Sequence, residues 1–146
     1  MSSIIRTMSE KDKSAVLEMM REFYSSPAVY TGGSEEIFKN DIENCVDTDF
    51  PFVHGYIIED NGEIQGYSMI AKSYSTEFGK TCIWIEDLYI KEEYRGLGLG
   101  KQFMDFVMNR YADCIFRLEV EAENEGAVRL YEKCGFSRLP YMEMKK

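Results

Sequence analysis

The chain has 146 residues and a formal net charge of −9, from 17 Lys and Arg against 26 Asp and Glu. That length predicts one domain over residues 1–146, and 45% apolar residues are enough to fill its core. The acidic balance argues against a nucleic-acid partner and favours cationic ones, and no apolar run reaches the roughly 20 residues of a membrane span.

The N-terminal residues carry no signal-like apolar core, so the chain reads as cytoplasmic with no membrane partner. Cys45, Cys82, Cys114 and Cys134 form no C-x-x-C pair and read as reduced core residues. His54 is the sole histidine, so no histidine metal site is expected.

Ile4-Ile5-Arg6 predicts a short strand. Ser9 then caps a helix, with Asp12 completing a capping box. Val16, Met19, Met20, Phe23 and Tyr24 share one face of that helix, which Ser25-Ser26-Pro27 ends. Ser34-Glu35-Glu36 opens a second helix reaching about Cys45. Strands over 53–59 and 63–74 flank Asn61-Gly62, the strongest short hairpin signal. A third, nearly all-apolar strand covers 81–90, as expected of a central strand covered on both faces.

A helix from about 99 to 111 places Leu99, Phe103, Phe106, Val107 and Arg110 on one stripe. Residues 116–120 alternate as a strand. Asn124 opens a last helix with Ala127, Leu130, Tyr131 and Cys134 inward, and Gly135 stands as its C′ residue. Residues 136–144 predict a closing strand, with Pro140 marking an edge or bulge. The order β, α, α, β, β, β, α, β, α, β predicts an α/β fold: one mixed, mostly antiparallel sheet with helices on both faces.

The richest stretch is Arg95-Gly96-Leu97-Gly98-Leu99-Gly100-Lys101, between the third strand and the third helix. Glycines permit positive φ and close backbone approach, and a helix start offers unpaired N–H groups with a partial positive charge. Together these make an anion site. A P-loop needs glycine at 95 and Ser or Thr at 102, where Arg95 and Gln102 stand. A dinucleotide fingerprint needs glycine at 101 or 103, where Lys101 and Phe103 stand. What remains is R-x-x-G-x-G.

That pattern resembles the acyl-CoA pyrophosphate loop of the GNAT superfamily of N-acetyltransferases. Asn124, Ala127, Tyr131 and Gly135-Phe136 are similar to the superfamily's second motif, N-x-x-A-x-x-x-Y-x-x-x-G-F. The element order fits that fold, with the first 50 residues matching only in outline. The resemblance implies acetyl-CoA as co-substrate and no metal. It places the pantetheine arm on the backbone of Leu88, Tyr89 and Ile90. The pyrophosphate falls on N–H groups of Arg95, Gly96, Leu97, Gly98, Leu99, Gly100 and Lys101, and Asn124 also contacts the cofactor. It puts a carboxylate base beside the central strand and makes Tyr131 the proton donor to the leaving thiolate.

Glu86 interrupts the apolar strand, where an unpaired buried carboxylate would cost several kcal/mol. In a regular strand it shares a face with Trp84 and Leu88 while Asp87 points the other way; a bulge would exchange the faces. Glu86 is the expected base, and ion pairing with a neighbouring cation is the competing explanation. For Tyr131 the competing explanation is a core tyrosine, for Asn124 a helix cap, and for Arg95 a solvated charge. Tyr24 and Tyr30 fall where the superfamily's acceptor site lies.

The expected function is acetyl transfer to a primary amine, a small cationic molecule, by direct attack in a ternary complex. The Glu-Asp-Leu-Tyr-Ile junction at 86–90 resembles diamine and polyamine acetyltransferases. A protein lysine or N-terminal amine is the alternative acceptor. A non-catalytic acyl-CoA-binding regulator is the alternative class. Superfamily members often form homodimers through sheet edges.

Overall fold

The computed structural model describes residues 3–146. Strand β1 (Ile4–Thr7) leads into a 3-10 turn and helix α1 (Lys13–Tyr24). Ser9 N–H donates to Asp12 Oδ2 over 2.8 Å, which stops the orphan N–H at this entry. Arg6 forks onto both Asp12 oxygens (2.8 and 2.9 Å) and donates to Glu59 over 2.6 Å, tying β1, the start of α1 and the second strand together.

Helix α2 (Glu35–Val46) begins on Ser34, whose hydroxyl accepts from the Ile37 N–H. Strands β2 (Val53–Asp60) and β3 (Glu63–Ser75) form the expected hairpin, with Asn61 at φ 53° and Gly62 at φ 81°. Two consecutive positive φ values are what a two-residue hairpin turn requires. Strand β4 (Lys80–Ile90) follows, then helix α3 (Leu99–Arg110), β5 (Ile115–Leu118) and α4 (Glu125–Lys133).

The sheet runs β1-β2-β3-β4-β5, antiparallel except for the parallel β4–β5 pair that α3 connects. Helices α1 and α2 cover one face, where Met19, Met20, Phe38 and Ile42 meet Ile57, Tyr67, Met69 and Tyr89. Helix α3 covers the other, where Leu99, Phe103, Met104 and Val107 meet Ile58, Ile70, Ile83 and Ile85. No helix among the described residues is long and apolar enough to cross a membrane.

Three expectations need correction. Arg110 is exposed and leaves the α3 stripe, its guanidinium lying 5.9 Å from the Tyr56 and Tyr111 ring centres. Strand β5 stops at Leu118, because Glu119 and Val120 are exposed and find no partner. Residues 136–144 form no strand. The Gly135 and Phe136 N–H groups turn back onto the Glu132 and Tyr131 carbonyls, closing α4 with Gly135 at φ 97°. Beyond them Leu139, Tyr141, Met142 and Met144 are exposed, and Pro140 has no N–H to give a ladder.

One irregularity of β4 governs the site. Met69 pairs with Asp87 and Ile70 pairs with Ile85, so Glu86 is the extra residue of a β-bulge. Ile83 and Ile85 face α3, whereas Asp87 is drawn to the α1/α2 face with Tyr89, and Leu88 falls on the α3 face. The faces expected of a regular strand are exchanged at this point.

Candidate active site

Strands β4 and β5 pair only from Cys82↔Ile115 to Ile85↔Leu118. Past Leu118 the strand β4 continues to Ile90 with no neighbour on that side among the described residues, so the sheet opens there. The Lys91 N–H donates to Gln65 O, in the same register that pairs Tyr89 with Tyr67 and Gly66 with Ile90. Alternation then turns the Tyr89 peptide groups toward β3 and those of Leu88 and Ile90 toward the gap. Of the three residues expected to offer backbone, Leu88 and Ile90 are therefore the ones with groups to offer. The Ile90 carbonyl accepts from Arg95 Nε over 2.8 Å.

The glycine stretch turns from this strand into α3. Gly96 (φ 78°) and Gly98 (φ 84°) occupy the left-handed region, and Gly98 is the residue before the first helical turn. No side chain caps that turn and it carries no acidic residue. The first i→i−4 bond is Gln102 N–H to Gly98 O. Among the described residues, no backbone acceptor meets the N–H groups of Gly96, Leu97, Gly98, Leu99, Gly100 and Lys101. The Arg95 N–H is already committed to Glu92 O, so it does not join the set. Six unpaired N–H groups at a helix start suit an anion. Lys101 instead pairs with Asp105 at 2.8 Å, and the Leu99 side chain is buried. Gly100 has a different reason to be glycine: a Cβ there would stand 2.9 Å from Leu130 Cδ2, on α4.

On the α1/α2 side of β4 lies a cavity of about 190 Å³ lined by Tyr24, Asp41, Cys45, Val53, Met69, Glu86 and Asp87. The bulge brings both adjacent carboxylates to it. Asp87 is 3% exposed, and each of its oxygens accepts a phenol hydrogen bond of 2.8 Å, from Tyr24 and from Tyr67. Burial pushes the Asp87 carboxyl up to about 6, against the two phenols that hold it down, and Asp41 raises it further. Glu86 is exposed at the cavity mouth, yet the wall around its carboxylate still raises its pKa, with the Asp87 and Asp41 charges adding to the effect. Burial also raises Asp41. Burial, then Asp41 and Asp87, push the Cys45 thiol up to about 12, which removes it as a nucleophile at neutral pH.

Because the folded chain holds the Asp87 proton more tightly than an unfolded one, its contribution to stability is greatest below pH 4. It declines as pH rises to about 6. A shift of this size corresponds to about 3 kcal/mol, part of which is lost if both phenol bonds weaken. Asp87→Asn should therefore raise thermal stability at pH 7.5 and flatten its decline between pH 4 and 6. Melting curves across that range check this; an unchanged slope in the variant would contradict it.

Tyr131 packs against the α3-side core, its ring 6.0 Å from Phe136. Burial, then Cys134, raises its pKa. Its hydroxyl thus stays protonated. Tyr131 and Glu86 lie on opposite faces of the sheet, and the gap beyond Leu118 is the opening between them. Asn124 accepts from the Ala127 N–H at 3.4 Å as the cap of α4. Tyr24 lines the cavity, whereas Tyr30 is 88% exposed and does not.

Sequence reasoning missed Tyr67, Asp41 and Cys45. Asp41 and Cys45 are spaced i, i+4, which puts them on one helix face beside buried Ile42 and Phe38. That polar break in an inward stripe was the available signal. Tyr67 gave none, since a strand tyrosine with a buried ring is ordinary core.

A splayed central strand, an anion cradle at the next helix start and an acidic cavity across the gap define an acyl-CoA-dependent transferase. Residues 15–136 match the acetyltransferase (GNAT) family model. The chain belongs to that family of acetyltransferases, whose acyl donor is acetyl-CoA. A thialysine N-epsilon-acetyltransferase from Sus scrofa is 36% identical over 92% of this chain and 84% of its own length. A possible acetyltransferase from Clostridium difficile 630 superposes with a TM-score of 0.83 at 17% identity, over 99% of this chain and 96% of that one. An aminoglycoside N-acetyltransferase solved in complex with CoA gives 0.80 at 14% identity, over 99% and 94%. Among the described residues no group of three His, Cys, Asp or Glu side chains is arranged to hold a metal ion.

Proposed function

We propose that the chain transfers an acetyl group from acetyl-CoA to a primary amine on a small cationic molecule, by direct attack without a covalent enzyme intermediate. The observation that carries this reading is the cavity at the β4 bulge. Three carboxylates, Asp41, Glu86 and Asp87, line it with no Lys or Arg among its walls. An ammonium group is the ligand that such a lining favours. Its volume of about 190 Å³ suits a slender aliphatic amine rather than a folded surface. The thialysine enzyme named above acts on a molecule of that shape.

The thioester supplies the electrophile. The N–H groups from Gly96 to Lys101 would hold the pyrophosphate, and the Leu88 and Ile90 peptides would hold the pantetheine arm. An alkyl ammonium of pKa near 10 must lose a proton before it attacks. Glu86 takes that proton: both Asp87 oxygens are occupied by phenols, while the Glu86 carboxylate is open to the cavity mouth. Asp87 raises the basicity of Glu86 by its charge and anchors the bulge that aims it. The Leu88 N–H, turned into the gap, would stabilise the oxyanion. Tyr131 gives its proton to the departing thiolate.

Tyr131→Phe should then lower kcat by about 10- to 100-fold with CoA affinity and melting temperature retained. If only the melting temperature moves, Tyr131 is a core residue and nothing more. The function itself is tested by following thiol release from acetyl-CoA against a panel of thialysine, spermidine, other short diamines and lysine-containing peptides. Turnover confined to the small amines is the expected result. Turnover on peptides alone would assign a protein acceptor. Tight CoA binding with no turnover on any amine would assign a regulator.

A further inference from the structure

We infer that Tyr89, fixed by Glu22, is a positioning residue that presets the Arg95 guanidinium for the anionic cofactor. This rests on the acyl-CoA reading of the glycine loop and adds residues outside it. The Arg95 guanidinium carbon lies 5.4 Å from the centre of the Tyr89 ring, within cation–π range. Its Nε donates to Ile90 O over 2.8 Å. Those two contacts fix the plane of the fork and commit one of its five donors. The terminal nitrogens have no partner among the described residues, which leaves them for an anion.

The ring beneath is itself held. Tyr89 is 6% exposed, with edge contacts to Phe23 (6.0 Å) and a tilted one to Tyr67 (6.2 Å). Its hydroxyl donates to Glu22 Oε2. Burial, then the Glu22 bond, push the phenol up to about 12, so it remains a donor at any working pH. A phenol donating to a carboxylate has a more electron-rich ring, which strengthens the attraction for the cation above it. An exposed arginine otherwise surrenders much rotamer freedom when it grips a ligand. Here that freedom is restricted before the ligand arrives, which is the source of the affinity gain.

The arrangement also places one helix end under both halves of the site. Glu22 and Tyr24 are two residues apart at the end of α1. Glu22 holds Tyr89 and Tyr24 holds Asp87.

The test is a double-variant cycle of CoA affinity by calorimetry on the full chain. Tyr89→Leu and Arg95→Ala should each weaken CoA by about five- to tenfold. In the Arg95→Ala background, Tyr89→Leu should add nothing. A loss of the same factor with or without Arg95 would overturn the inference, since a merely structural tyrosine acts independently of the guanidinium. If Tyr89→Leu does not fold, Glu22→Ala replaces it in the same cycle, and Glu22→Gln, which keeps an acceptor, should restore most of the affinity. Failure of that rescue also counts against the inference. Gly98→Asp separates the two levels. Normal CoA binding by that variant would remove the loop reading itself, whereas lost binding alongside an additive cycle would remove only the role of Tyr89.

Discussion

Gly98→Asp is expected to abolish measurable CoA binding, a loss of more than about 100-fold, in a protein that still folds. Gly98 sits at φ 84°, and nothing stands within 4 Å of where its Cβ would go. The substitution therefore meets no clash, and its backbone cost is about 1–2 kcal/mol, with aspartate among the more tolerant residues. The carboxylate would stand at the uncapped start of α3, where it can accept from the unpaired N–H groups proposed to hold the phosphate. It would both occupy the cradle and repel its ligand. Gly98→Asn carries the same backbone cost without the charge, so the difference between the two variants reports the anion term. Calorimetric titration with CoA measures it; unchanged affinity in the aspartate variant would sink the loop assignment.

Glu86→Gln should lower kcat by about 10²–10⁴-fold with CoA affinity retained. Burial, then Asp87 and Asp41, raise the Glu86 carboxyl from its ordinary value. A base must be deprotonated to act, so the rate of the unmodified enzyme should rise with pH through that raised value. The glutamine variant should lose this limb, most clearly below pH 8, and follow only the ionisation of the amine. Asp87→Asn should keep the limb but move it to lower pH, because one of the charges that raises Glu86 is gone. A pH–rate profile identical in the glutamine variant and the parent would remove Glu86 as the base.

The parts of this molecule that were legible in the sequence are those fixed by local chemistry. Asn61-Gly62 specified its turn, Ser34 its helix start, Gly135 its helix end, and Gly96 and Gly98 a left-handed path into α3. The bulge at Glu86 was not legible because it belongs to a pair of strands. Alternation along β4 alone assigns every side chain to a face, and only the register against β3 shows that one residue is extra. The same holds for the two phenols on Asp87, which arrive from α1 and β3, 63 and 20 residues away. The alternating tail after Phe136 misled for the complementary reason. Its apolar pattern suits a strand, but a strand needs a ladder partner, and none meets it.

Gly100 ties the two motifs into one mechanical unit. A Cβ at position 100 would stand 2.9 Å from Leu130 Cδ2, so the first turn of α3 and α4 are in contact at this glycine. Asn124 and Tyr131 ride on that second helix. A methyl group added at 100 should displace the end of the Leu130 side chain, one residue before Tyr131. Enlarging 100 and shrinking 130 together, as in Gly100→Ala with Leu130→Ala, should remove that contact. The helices that carry the two motifs thus meet at a side chain that is not there.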